Sequence, residues 1–126
     1  MLKTGIKGSG RTVVTEQLTA EALGSGGLPV YGTPALIMLA EKTARESVEA
    51  FLEPGQGTVG TRVDIAHIAP TPVGRNVRCE TELTEIDRRR LVFSVAVCDE
   101  AGKIAEGTHE RFVIDNEKFL RKANDR

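Results

Sequence analysis

A single long helical signal followed by four strand-like segments in a row leaves this chain few architectures. Thr33-Pro34 reads as a helix cap and first helical residue, and Leu36, Ala40, Ala44, Val48 and Leu52 then repeat at helical spacing. A helix of about five turns is predicted from Pro34 to about Leu52. It stops at Glu53-Pro54-Gly55, where proline removes a backbone donor and glycine supplies turn geometry. Thr58–Ala69 then alternates with Val59, Val63, Ile65 and His67 on one face, and Arg75–Asp87 alternates Val77, Cys79, Thr81 and Leu83 against Arg78, Glu80 and Glu82. Leu91–Cys98 is apolar on both faces, as a strand covered on both sides would be, and Lys103–Ile114 follows an Ala101-Gly102 turn.

The remaining text is shorter. Arg11–Leu18, leading out of a glycine-rich start, suits a first strand; Leu23–Gly32, LGSGGLPVYG, suits a loop free enough to act as a lid; Asn116 to about Ala123 suits a closing helix. One strand, one long apolar helix and four antiparallel strands give an α+β protein whose five-stranded sheet wraps a central helix, the order of the hotdog fold. Residues 1–126 fit one domain, small enough that a surface shared in a dimer would help stabilise it.

Composition removes several functions. With 17 Lys+Arg against 18 Asp+Glu, no net field draws the chain to nucleic acid or to a membrane surface. Cys79 and Cys98 sit in apolar strand text without C-x-x-C spacing, which argues against a disulfide framework, a zinc site or a redox pair and suits a reduced, cytoplasmic setting. No apolar run approaches the roughly 18 residues of a membrane span, and the start lacks the apolar core of a secretory signal.

Three residues stand out chemically. Glu41 interrupts a helix whose first turns, ALIMLA, are apolar all round, so its carboxylate needs a partner or a shifted pKa; Arg45, at i,i+4, is the ordinary one. His67 shares the parity of Val63 and Ile65, so its ring is expected on their face, either bonded to a backbone carbonyl or poised for proton transfer. Thr33 suits a capping residue, and capping does not exclude catalysis. His109 is expected to be structural, since Gly107 and Arg111, its neighbours in parity, suggest a less buried face. Arg88, Arg89 and Arg90 suit a solvated hairpin turn, with contacts to phosphates as the lesser alternative. The glycines from Gly24 to Gly27 do not fit a phosphate-binding loop, because no strand precedes them in the required frame.

The runs FLEPGQGTVGTRVDIAHIAPTPVG, Phe51 to Gly74, and EGTHERFVI, Glu106 to Ile114, closely resemble the fluoroacetyl-CoA thioesterase family of hotdog proteins. That family carries a catalytic threonine, a glutamate eight positions on and a histidine twenty-six further, intervals that Thr33, Glu41 and His67 reproduce. The resemblance implies hydrolysis of a small acyl-CoA thioester by these three residues, with Gly60 near the thioester carbonyl, no metal, and no cofactor beyond the coenzyme A of the substrate. It also implies a homodimer with the site at the subunit interface. Eight helical residues rise about 12 Å, so Thr33 and Glu41 meet only if the first turn is irregular or two subunits contribute. The family's lid is longer and bears phenylalanines, whereas Tyr31 is the only aromatic in LGSGGLPVYG, so a fluorine preference does not carry over. A non-catalytic acyl-CoA binder and a hotdog enoyl-CoA hydratase are the alternatives.

Overall fold

The computed structural model describes every residue, Met1–Arg126. β1 (Lys7–Val13) is followed by a 3-10 turn at Glu16–Leu18, the one-turn helix α1 (Ala20–Leu23) and the long helix α2 (Thr33–Glu49). Then come β2 (Gln56–His67), β3 (Asn76–Asp87), β4 (Arg90–Asp99), β5 (Gly102–Asp115) and α3 (Asn116–Asn124). The strands form one antiparallel sheet in the order β1-β3-β4-β5-β2. Because α2 crosses one face between β1 and β2, these two strands end at opposite edges. This is the α+β hotdog arrangement that the order of elements predicts.

The helical period explains the core. Leu36, Ala40, Ala44 and Val48, four of the five positions in the predicted stripe, are enclosed against the sheet, together with Ala35, Leu39 and Thr43. Burial of each large apolar side chain contributes roughly 1.5–3 kcal/mol, so this stripe anchors the helix to the sheet. Leu36 and Leu39 pack with Val77, Cys79, Val95, Val97 and Ile104. Toward the helix C-terminus, Ala44 and Val48 pack with Leu83, Leu91, Phe93 and Val113. Leu52 lies past the end of the helix and is half-buried against the second cluster.

Four expectations change on folding. The first strand spans Lys7–Val13 rather than Arg11–Leu18, because its glycines are packing positions and not a turn. A Cβ on Gly8 would stand 2.8 Å from the Ser47 Cβ and 3.0 Å from the Thr43 carbonyl oxygen, and one on Gly10 would strike the Thr43 hydroxyl. Only glycine lets α2 lie this close to β1. Second, β4 is covered on one face alone: Leu91, Phe93, Val95 and Val97 are buried, while Val92, Ala96 and Cys98 are half-exposed.

Third, Val59 does not share the face of Val63, Ile65 and His67. A bulge between Gly60 and Arg62 reverses the alternation, so Val59 lies opposite the exposed Phe112, and Gly60 opposite the buried Arg111. Fourth, the Leu23–Gly32 segment is tethered. Val30 bridges to Pro72, and Tyr31, bridged to Thr19, is buried with its N–H donated to the Thr71 carbonyl at 2.8 Å. No helix is long and apolar enough to cross a membrane.

Gly8→Ala should therefore lower stability by about 1–3 kcal/mol in chemical denaturation, because the methyl group meets helix backbone that cannot rotate away. A variant as stable as the parent would contradict this close packing.

Candidate active site

The backbone at the start of α2 frees a hydroxyl. Gly32, in an extended conformation, occupies the cap position, and Thr33 is the first helical residue rather than the cap. No side chain caps this helix, so the Thr33 hydroxyl is available elsewhere, and it lies 2.8 Å from Nδ1 of His67 at the end of β2. The Tyr31 ring meets the imidazole edge-on, with centroids 6.5 Å apart at 75°. Thr33 and His67 line a cleft of about 280 Å³ with Val30, Tyr31, Ile68 and Pro70.

The hydroxyl contact bears on where the ring carries its proton. When the Thr33 hydroxyl donates to Nδ1, the proton of the neutral imidazole sits on Nε2. That nitrogen is buried and has no hydrogen-bond partner within the chain. Burial pushes the His67 pKa below its ordinary 6.5, and the backbone at Ala69 offsets this only in part.

Glu41 belongs to a second cluster. Its expected neighbour Arg45 turns instead to Glu49, at 2.9 Å, and Glu41 pairs with Arg111 of β5, Nη1 to Oε2 at 3.5 Å. Arg111 is almost wholly buried, at 5% exposure, whereas the Glu41 side chain is 43% exposed, so this carboxylate is not the enclosed group that the apolar helix text suggests. Any Cβ on Gly60 would collide with Glu41 Oε2, which places the carboxylate directly over that glycine. Within one chain Glu41 pairs with Arg111 and not with Thr33 or His67. Eight residues of helix, about 12 Å of rise, separate the two clusters.

His109 and Arg111 are the residues that sequence reasoning placed wrongly. Both are buried, His109 completely, because Ala105, His109, Arg111 and Val113 share the inner face of β5. Arg111 donates through Nε to the Thr58 hydroxyl at 2.8 Å, through Nη2 to the Thr58 carbonyl at 2.9 Å, and through Nη1 to His109 Nε2 at 3.2 Å. A guanidinium only donates, so Nε2 accepts, and the proton of His109 is on Nδ1, which donates to the Arg62 carbonyl at 2.8 Å. Burial lowers the His109 pKa; the Arg62 carbonyl opposes the shift and the Arg111 charge adds to it. The apolar Ala105 and Val113 at either end of this parity were the available signal.

Two further motifs are accounted for. Arg90 is held by Glu110 at 2.9 Å and by Glu85 at 3.1 Å, while Arg88 takes a φ of 59° in the turn. Gly24 ends α1 in the left-handed conformation. No three His, Cys, Asp or Glu side chains converge as a metal site requires.

A sheet wrapped on one helix, with a hydroxyl–imidazole pair and an arginine-held carboxylate along the seam between α2 and β2, defines a hotdog protein equipped for acid–base chemistry. The family model described as fluoroacetyl-CoA-specific thioesterase matches residues 14–117. The fluoroacetyl-CoA thioesterase of Streptantibioticus cattleyicolor is 37% identical over 97 residues, 77% of this chain and 70% of that protein. The chain belongs to this family. A solved structure of the fluoroacetyl-CoA thioesterase FlK superposes with a TM-score of 0.93 at 32% identity, covering 100% of this chain and 98% of the other. A variant of FlK in complex with acetyl-CoA gives 0.93 at 31% identity, with 98% of each chain covered.

The depressed pKa values of His67 and His109 fix a pH dependence of stability. The unfolded chain takes up protons near the ordinary value of about 6.5 while the folded chain resists, so folding stability is full above that pH and falls below it. The melting temperature should drop between about pH 7 and pH 5, and His109→Gln should flatten that slope. A melting temperature constant over this interval would contradict the two buried-imidazole assignments.

Proposed function

We propose that this chain is an acyl-CoA thioesterase that hydrolyses a small acyl-CoA thioester, without the fluorine preference of the relative it resembles. The observation that carries the reading is the 2.8 Å contact between the Thr33 hydroxyl and His67 Nδ1 beside an open cleft. Family membership and the acetyl-CoA complex of a relative support the substrate class. In this reading the thioester carbonyl is held by backbone N–H at Gly60, where the missing side chain lets it approach. His67 accepts a proton from Thr33 or from water, and Glu41 faces the same carbonyl. Water and thioester are consumed, and carboxylic acid and free coenzyme A are released; no other cofactor takes part.

The active form in this proposal is a homodimer. β2 is an edge strand of 12 residues whose stretch from Gly60 to Asp64 is exposed, an unpaired row of backbone groups that folded proteins rarely leave open. Antiparallel pairing of β2 with its copy about an axis near Val63 and Asp64 would bring Gly60 and Glu41 of one subunit opposite the partner's His67 and Thr33. His67, whose Nε2 has no hydrogen-bond partner within its own chain, would then share a site with the Glu41 carboxylate of the other subunit. The two cysteines, both free, suit a reduced compartment such as the cytoplasm.

Thiol release from a panel of short acyl-CoA esters tests this function. Glu41→Gln should lower kcat by about 100-fold or more while acyl-CoA affinity survives. Equal activity in the variant would reject the assignment, and binding without turnover in the parent would make the protein a non-catalytic binder. With Tyr31 buried and no other aromatic in the loop, fluoroacetyl-CoA and acetyl-CoA should differ by less than about tenfold in kcat/KM.

A further inference from the structure

The mechanism above leaves the buried imidazole of His109 unused. His109 has no solvent exposure, stacks on Phe93 with centroids 6.3 Å apart, and spends both ring nitrogens inside the protein. For packing alone, an apolar ring would fill the place without two hydrogen bonds to satisfy. Both of those bonds lead toward the seam. Nδ1–H is donated to the carbonyl of Arg62, the residue that closes the β2 bulge, and Nε2 receives Nη1 of Arg111, the same nitrogen that reaches Glu41.

We propose that His109 is a positioning residue for hydrolysis, clamping the Gly60–Arg62 bulge through the Arg62 carbonyl and fixing the guanidinium of Arg111 that aims Glu41. The geometry of each half supports it. Arg111 Nη1 carries two hydrogens, and with one directed to His109 at 3.2 Å the other points at Glu41 Oε2 at 3.5 Å. Thr58 holds the far side of the guanidinium through two further bonds, so His109 supplies the contact that sets its remaining rotation. At the bulge, the Thr61 hydroxyl donates to the Glu110 carbonyl at 3.2 Å from the neighbouring position, and the His109 ring holds the next carbonyl from within. The backbone around Gly60 is therefore locked from β5, and with it the direction of the N–H offered to a thioester. A displacement of about 1 Å at such a site costs on the order of 100-fold in rate.

The proposal rests on the reading that Glu41 and Gly60 act in hydrolysis, and its test keeps the two apart. His109→Phe preserves the ring and the stacking on Phe93 but removes both hydrogen bonds. His109→Gln restores a donor and an acceptor spaced about as the ring nitrogens are. The Phe variant should lose about 10- to 100-fold in kcat with KM changed less than about threefold, and the Gln variant should recover most of that loss. Parental kcat in the Phe variant, or equal losses in both, would overturn the proposal. Nitrogen-15 spectra of the parent protein decide it independently of activity and of whether the Phe variant folds. His109 should be protonated on Nδ1 alone near neutral pH, and protonation on Nε2 would overturn the clamp. A parent enzyme that hydrolyses no acyl-CoA would refute the hydrolytic reading, and a positioning role in hydrolysis would fall with it, even where the spectra confirm the tautomer.

Discussion

The bulge between Gly60 and Arg62 decides which way β2 presents its side chains. Without it, strict alternation would put Gly60 and His67, seven positions apart, on opposite faces of the sheet. With it, Gly60 lies opposite Arg111 and His67 opposite Ala105, both on the face that α2 covers. One extra residue in an edge strand thus gathers the polar chemistry of this fold on its inner side.

The helix supplies the matching row. Thr33, Ile37 and Glu41 recur every four residues, a stripe directed toward β2, while Leu36, Ala40, Ala44 and Val48 fasten the neighbouring stripe to the sheet. The packing of the apolar stripe therefore sets the position of the polar one. Buried arginine is costly unless its donors are satisfied, and Arg111 meets that requirement with Thr58, His109 and Glu41 together. The half-exposed Glu41 carboxylate lies over Gly60 of the edge strand β2, and Nε2 of His67, farther along the same strand, has no partner within the chain. An incomplete site on an unpaired edge is the physical ground for proposing that a second copy completes it.

The sequence made the elements legible wherever period and punctuation agreed. The α2 stripe and its stop at Glu53-Pro54-Gly55 appear nearly as expected, and so do the bounds of β3, β4 and β5, because apolar runs set off by turn residues survive single-sequence reading. β1 did not, since glycines that permit close helix packing look in text like glycines that make turns. The reversal of Val59 was hidden for a similar reason: a bulge leaves no local mark in residue type. At the site, Thr33 and His67 lie 2.8 Å apart, a pairing that only the family resemblance implied, whereas Arg111 and His109 were misplaced because polar residues on a strand normally signal solvent. Their burial follows from tertiary pairing with Glu41 and with the bulge, which no window of sequence contains.

The division of the proposed site between two chains is best tested by mixing. Glu41→Gln and His67→Gln proteins, each inactive alone, are unfolded and refolded together so that subunits exchange. Random pairing makes half the dimers mixed, each with one intact site of two, and should restore about a quarter of parental thiol release. If exchanged mixtures remain as inactive as their components, the three side chains act within one subunit or not at all, and the two-chain account is wrong.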